Sequence, residues 1–132
     1  MSVAFSVVTE VQLDEAIALY VASGINRPTH QPERMQGMLK HANLIITARQ
    51  DNQLVGLARC LTDYNFVVYI ADLLVDKACQ QQGIGARLLA EVQRVTGPQV
   101  QQLLLSAPSA MEYYPKVGFS PLNNAFAIAR KE

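Results

Sequence analysis

The stretch that most constrains this chain runs from Asp72 to Leu89, Asp-Leu-Leu-Val-Asp-Lys-Ala-Cys-Gln-Gln-Gln-Gly-Ile-Gly-Ala-Arg-Leu-Leu, where an apolar run breaks into a polar turn and then into helix-period repeats. The run it closes, Phe66 to Val75, is apolar at nearly every position, as a strand covered on both faces is, and Asp72 is its one charged interruption. In the turn, Gly83 and Gly85 let backbone approach a ligand where a Cβ would obstruct it. Beyond it, Ile84, Leu88, Leu89, Val92 and Val95 mark a helix that Gly97-Pro98 terminates. The first N–H groups of such a helix have no intrahelical acceptor and lie at the positive end of its dipole. Strand, glycine turn and helix together make an anion site.

The remaining elements follow in order. Val3 to Thr9 has strand character, and Leu13, Ile17, Leu19, Tyr20 and Val21 predict a helix with acidic Asp14 and Glu15 at its start and Gly24 at its end. Ile25 to Gln31 reads as a loop, either a substrate-facing lid or a plain connection, and Pro32 opens a second helix toward His41. Leu44 to Arg49 and Leu54 to Leu61 are strands joined by a polar hairpin turn from Gln50 to Gln53. Thr62 to Asn65 is a second turn leading into the Phe66 to Val75 strand. Leu103 to Ser106 predicts a short buried strand. Ser109 and Glu112 form a capping-box pattern for a helix from Ala110 to about Val117, ending at Gly118. A final strand is expected within Phe119 to Arg130, centred on Ala125 to Ala129. Hairpins followed by a strand-helix-strand crossover predict an α/β fold, a mixed sheet with helices on both faces.

Composition bounds the partners. A chain of 132 residues fits one domain, residues 1–132, with a core of its own. Eleven basic and eleven acidic side chains cancel, so no overall field draws in nucleic acid or anionic lipid. No apolar run approaches the roughly 18 residues of a membrane span, and the first residues lack a signal-peptide pattern, so the expected location is the cytoplasm. The two cysteines, Cys60 and Cys79, form no CxxC pair and read as small buried hydrophobes. His30 and His41 stand alone, without partners at ligand spacing, and no metal is expected.

Two familiar glycine motifs fail here. A dinucleotide fingerprint needs a small residue three positions after the second glycine, where Leu88 stands. A Walker A loop ends in Gly-Lys-Ser or Gly-Lys-Thr, whereas this turn ends in Gly85-Ala86-Arg87. Instead, Gln80-Gln81-Gln82-Gly83-Ile84-Gly85 resembles the Gln/Arg-x-x-Gly-x-Gly/Ala signature of the GNAT superfamily of N-acetyltransferases. Leu73 and Val75 form the Leu-x-Val strand end that precedes it there, and Tyr114-Pro115-Lys116-Val117-Gly118-Phe119 resembles the family's Tyr-x-Lys-x-Gly-Phe segment. With the order of elements, the resemblance covers nearly the whole chain.

The resemblance implies a GNAT-like fold and acetyl-coenzyme A as donor, its pyrophosphate held by backbone N–H groups from Gln81 to Ala86 in the loop of Gln80, Gln81, Gln82, Gly83, Ile84, Gly85 and Ala86. Backbone dipoles bind phosphate without burying a charge, which suits a loop without lysine. It also implies that the strand backbone at Leu73, Leu74 and Val75 pairs with the pantetheine arm, and that Tyr114 is the general acid for the departing thiolate, with Tyr113 as the competing assignment. Arg87 either touches a phosphate or is solvated. An amine must lose a proton before attack, and Asp72, in its apolar strand, is the candidate base; Asp63 and Glu112 are alternatives, and an ion pair with Arg59 is the structural reading of Asp72. The chain departs from the family at Ala107, where asparagine is common seven residues before the tyrosine, and at Lys77, where proline is frequent. Val55-Gly56-Leu57-Ala58-Arg59, Thr62-Asp63 and Asp72-Leu73-Leu74-Val75-Asp76 resemble the small bacterial and plant branch that includes serotonin and lysine N-acetyltransferases. The implied acceptor is a primary amine, either a small molecule or a protein lysine, acetylated directly. The alternative function is a non-catalytic acyl-coenzyme A sensor. An exposed edge strand such as the last one would also suit a homodimer.

Overall fold

The computed structural model describes residues 2–132. Five strands, β1 (Val3–Val8), β2 (Leu44–Gln50), β3 (Gln53–Thr62), β4 (Val67–Val75) and β5 (Gln101–Leu104), form one sheet in sequence order. β1 to β4 pair antiparallel and β5 joins β4 in parallel through the α3 crossover (Ile84–Thr96). This is the mixed α/β sheet that the hairpin-then-crossover order predicts. The β2–β3 hairpin is tighter than the sequence pattern suggests. Only Asp51 and Asn52 lie outside the strands, both at positive φ (50° and 66°), a backbone twist that matches that of the paired strands.

The sheet has a core on each face. On one, α3 packs Ile84, Leu88, Leu89 and Val92 against Leu44, Ile46, Ala48, Val55, Ala58, Val68 and Ile70. On the other, α1 (Leu13–Ser23) and α2 (Pro32–His41) pack Ala16, Leu19, Tyr20, Met35 and Leu39 against Ile45, Leu54, Leu57 and Leu74. Gly24 ends α1 in the left-handed region at φ 80°, and Pro32 starts α2, as their positions predict.

A bulge divides β4. Arg59 opposes Asp72, yet the next residue of β3, Cys60, opposes Ile70, so Ala71 is the extra residue on β4. An extra residue reverses which side chains face which layer. Val68 and Ile70 therefore point to the α3 core, whereas Asp72 and Leu74 point toward α1 and α2. The alternation of a regular strand would have kept all four on one face.

Two expectations at the C-terminal end are corrected. The helix expected over Ala110 to Val117 is broken into a 3₁₀ turn (Pro108–Ala110) and a single helical turn, α4 (Tyr113–Lys116), and Ser109 makes no capping bond. Pro115 carries no N–H to extend the ladder. The last strand, expected at 125–129, is absent: residues 120–132 are exposed and pair with no strand among the described residues. A strand is held by its neighbour, and among the described residues that segment has none.

Candidate active site

The loop between β4 and α3 is built from local bonds that leave its amides free. Asp76 accepts from the N–H of Ala78 at 2.9 Å and caps a 3₁₀ turn (Lys77–Cys79), and the side-chain Nε2 of Gln80 donates to the carbonyl of Val75 at 3.2 Å. Gln81 (φ 66°) and Gly83 (φ 80°) then take left-handed backbone and turn the chain into α3. Gly83 is the N-cap, and it brings no side-chain acceptor. The first bond of the helix runs from Arg87 N–H to the Gly83 carbonyl at 3.0 Å. Among the described residues, the N–H groups from Gln81 to Ala86 find no acceptor in the protein. The loop is thus a row of unpaired donors at the positive end of a helix dipole, the arrangement a pyrophosphate fits.

Around this loop, Gln82, Gly83, Ile84 and Arg87 line a hollow of about 190 Å³ with Val3 and Phe5 of β1. The Arg87 guanidinium lies 4.3 Å over the Phe5 ring, which holds its charge on the flank of the loop. Phe5 has no signal in the sequence that ties it to the loop, since the contact joins the first strand to the third helix. Ile84 is buried and anchors α3 in the core, while Gln80, Gln81 and Gln82 are exposed and Ala86 is half-buried.

The strand beside the loop has an open edge. β5 pairs with β4 only as far as Ile70 and Leu104, whereas β4 continues to Val75. Asp76 N–H donates to Val55 on the β3 side at 2.9 Å. Because peptide groups alternate between edges, Val75 and Leu73 direct theirs to the open side. Their side chains pack on the α3 core, and Leu74 is fully buried beneath α1. An extended amide-bearing chain could pair along that edge and meet the loop at its end.

α4 brings two tyrosines to this corner. A Cβ built on Gly85 would lie 3.0 Å from the Tyr113 hydroxyl and 3.7 Å from Val75 Cγ2, so the absence of a side chain there leaves the phenol directly over the loop. Tyr114 packs edge-on between Tyr113 and Phe119, with centroids at 5.2 and 5.7 Å, and rests on the α3 core. Its hydroxyl has no protein partner, and among the described residues no buried side-chain polar atom lacks one, so this hydroxyl reaches the surface. Burial raises the pKa of both phenols, and for Tyr114 the neighbouring Tyr113 adds to the effect. Both are proton-bearing at neutral pH.

Asp72 takes a different place from the one expected of a base. Its side chain is fully buried, and it accepts from Tyr20 Oη at 2.5 Å, Arg59 Nε at 2.6 Å and Arg27 Nε at 2.7 Å. Arg27 also donates to the Ala71 carbonyl at 3.1 Å, and Arg59 to the Met38 carbonyl at 3.3 Å. The cluster therefore ties α1, the α1–α2 loop, α2, β3 and the β4 bulge to one carboxylate. This is the ion pair with Arg59, enlarged by two partners that the sequence did not reveal. A base was expected here; both oxygens are engaged and the group is sealed from solvent. Tyr20 is held protonated in turn, since burial and then Asp72 raise its pKa.

Asp63 is also structural. Its Oδ1 accepts from the N–H groups of Asn65, Phe66 and Val67 at 2.8 to 3.0 Å, bonds that lower its pKa and fix the turn into β4. Glu112 is exposed ahead of α4. Ala107 is exposed, and Lys77 lies against Gly24, where a built Cβ would meet its Cε at 2.6 Å. Cys60 is buried, with its thiol pushed up to about 12 by burial, and Cys79 is half-buried. Neither histidine reaches a cysteine: His41 contacts the Gly37 carbonyl and His30 the side chain of Gln31. Among the described residues no group of three His, Cys, Asp or Glu could hold a metal ion, and no helix is long and apolar enough to cross a membrane.

Comparison with known proteins bears on the fold and the family. No curated protein sequence matches the chain. Among solved structures, a GNAT-family acetyltransferase of Streptococcus pneumoniae superposes with a TM-score of 0.78 at 26% identity, covering 99% of this chain and 100% of that one. An acetyltransferase of Trypanosoma brucei superposes at 0.67 with 19% identity, covering 98% and 100%. The aminoglycoside N-acetyltransferase AAC(6')-Iy, solved in complex with coenzyme A, superposes at 0.74 with 15% identity, covering 98% and 95%. The family model described as the acetyltransferase (GNAT) domain matches residues 15–129. Because that span runs from α1 past the two tyrosines, the chain belongs to the GNAT family of acetyl-coenzyme A-dependent acetyltransferases.

Proposed function

We propose that this enzyme is an N-acetyltransferase that moves the acetyl group directly onto a primary amine, carried by a small molecule or a lysine. The observation that carries the reading is the meeting of three features at one corner: the unpaired N–H groups of Gln81 to Ala86, the open edge of β4 at Leu73 and Val75, and the phenols of Tyr113 and Tyr114. In this reading the loop binds the pyrophosphate, Arg87 adds charge at its flank, and the β4 edge aligns the pantetheine amides. An amine acceptor is supported by the likeness to AAC(6')-Iy, which was also solved with a bisubstrate analogue, CoA-S-monomethyl-acetylneamine, at a TM-score of 0.73 and 14% identity.

The amine nitrogen forms a bond to the acetyl carbon as the carbon–sulfur bond breaks. The amine loses its proton to solvent, since Asp72 is sealed within its cluster. The electron pair leaving on sulfur takes a proton from Tyr114, whose raised pKa keeps the hydroxyl protonated until then. A covalent acetyl-cysteine route finds no support, because burial suppresses the thiolate of Cys60 and no histidine stands beside Cys79. In this reading Asp72, bonded to Tyr20, Arg27 and Arg59, holds the bulge in shape.

The test is turnover against binding. Acetyl-coenzyme A at 100 times its Kd should stabilise the protein by about 2.7 kcal/mol in thermal unfolding. Tyr114→Phe should lower kcat by roughly 10²-fold or more while leaving that stabilisation intact. If Tyr113→Phe has the larger effect on kcat, the roles are exchanged. Binding without thiol release across polyamines, arylalkylamines, amino acids and lysine peptides would favour a sensor instead.

A further inference from the structure

The cluster around Asp72 does not balance its charge. Two guanidinium groups, Arg27 and Arg59, share one carboxylate, and the third partner, Tyr20, is neutral. Among the described residues neither arginine forms a second ion pair. One positive charge is therefore left without a counter-charge, although the two arginine side chains are only 27% and 12% exposed. Charges so far withdrawn from water are ordinarily paired. The donors are not used up either. A guanidinium carries five N–H groups. Arg27 uses three, on Asp72 and on the carbonyls of Asn26 and Ala71, and Arg59 uses two, on Asp72 and on the Met38 carbonyl. The Nη2 of Arg59 bonds to no group of the protein, and since no buried side-chain nitrogen or oxygen lacks a partner among the described residues, it opens on solvent.

These free donors stand next to the proposed reaction. β5 parts from β4 after the pair Ile70–Leu104, and the next residue of β4 is Ala71, whose carbonyl Arg27 holds at 3.1 Å. Arg27 is thus at the mouth of the gap between the two strands, and Leu73, where the thioester arm would pair, is two residues further on, about 7 Å along the strand. The neighbouring surface is apolar. Two residues along β3 from Arg59 and on the same face, Leu61 opposes Tyr69, which opposes Leu103; the first two are exposed and the third is half-buried.

We propose that Arg27 and Arg59 bind a carboxylate of the acceptor, and that the acceptor is an α-amino acid whose apolar side chain rests on Leu61, Tyr69 and Leu103. The inference rests on the N-acetyltransferase reading above. Such a carboxylate supplies the negative charge the cluster lacks and accepts from donors that have no partner in the protein. In an α-amino acid the amine is one carbon away from that carboxylate, so an acid held at Ala71 presents its nitrogen to the gap. A polyamine or a lysine side chain brings further positive charge to a cluster that already has an excess of it.

The test separates binding from turnover. Calorimetry on the protein saturated with coenzyme A should show N-acetyl-L-phenylalanine, the product of such an acceptor, binding roughly 10- to 100-fold more tightly than the uncharged N-acetyl-L-phenylalaninamide. Arg27→Gln leaves Arg59 and Asp72 in balance and should bring that ratio close to unity, whereas Arg27→Lys, which keeps the charge, should retain part of it. Arg34→Gln, at an arginine of α2 outside the cluster, should retain all of it. The readout is a ratio within each variant, so a general loss of stability does not imitate it. Thiol release from acetyl-coenzyme A should likewise favour L-phenylalanine over phenethylamine at equal concentrations of neutral amine. Acid and amide that bind alike in the wild type, or a ratio that Arg27→Gln leaves unchanged, overturn the proposal. Turnover of phenethylamine as fast as that of L-phenylalanine overturns it too and leaves the transferase reading in place. A carboxylate preference in binding with no thiol release from any amine keeps the site and removes that reading instead.

Discussion

Replacing Asp72 by asparagine separates a structural carboxylate from a catalytic one. The substitution keeps shape and one acceptor oxygen but removes the charge that two arginines share. Arg27 is 27% exposed in its side chain and can turn into water, so its lost pair costs within about 1 kcal/mol. Arg59 is only 12% exposed and would be left as a buried cation without a counter-charge, with the asparagine oxygen and the Met38 carbonyl as neutral acceptors. Breaking a buried pair from one side costs about 3–5 kcal/mol, and the retained acceptor argues for the lower end, about 3 kcal/mol. With a urea dependence of about 1.5 kcal/mol per molar, the unfolding midpoint should fall by about 2 M. Removing the cation as well, in Arg59→Met/Asp72→Leu, should restore part of that loss, because an apolar pair of similar volume leaves no charge stranded. The assay is equilibrium urea unfolding followed by circular dichroism, with kcat measured on the folded variant. A midpoint shift under about 0.5 M together with a kcat loss of roughly 10²-fold would show that Asp72 acts on protons despite its burial and bonding.

Two further outcomes can be checked by unfolding. Gly56→Ala places a Cβ 3.0 Å from Ile84 Cγ2 and 3.2 Å from both Ala48 Cβ and Leu88 Cδ1, so overpacking should cost about 1–2 kcal/mol and lower the Tm by several degrees. The Glu15 carboxylate, bonded twice by Arg49 at 2.7 Å, has a lowered pKa from that bond. A depressed folded-state pKa gives stability that is present above the ordinary value of 4.5 and lost as pH falls through the folded value. Stability measured between pH 6 and 3 should therefore decline more steeply in wild type than in Glu15→Gln, by a small margin because both side chains are about a third exposed.

Much of this architecture can be read from local pattern. The helix boundaries at Gly24, Pro32 and Gly97 follow from backbone chemistry that each residue carries with it, and the observed elements α1, α2 and α3 begin or end there. The loop of Gln80 to Ala86 is legible for the same reason: glycine spacing, a preceding apolar strand and a following helix lie within a few turns of chain. The paired tyrosine segment is legible through its resemblance to a family, although the local pattern predicts a longer helix around it than the single turn that forms at Pro115.

What the sequence alone determined is the alternation of strands and helices, the donor loop and the presence of two phenols after β5, because each depends on neighbours a few residues away. Tertiary structure decided the meaning of Asp72. Its partners Tyr20 and Arg27 lie 52 and 45 residues distant, and the bulge at Ala71 turns the carboxylate toward them. It also decided the fate of residues 125–130, whose alternating pattern satisfies a strand's local requirement but not its need for a neighbouring backbone. Periodicity reports which face a residue prefers; whether a partner is there to receive it depends on the chain's path through space.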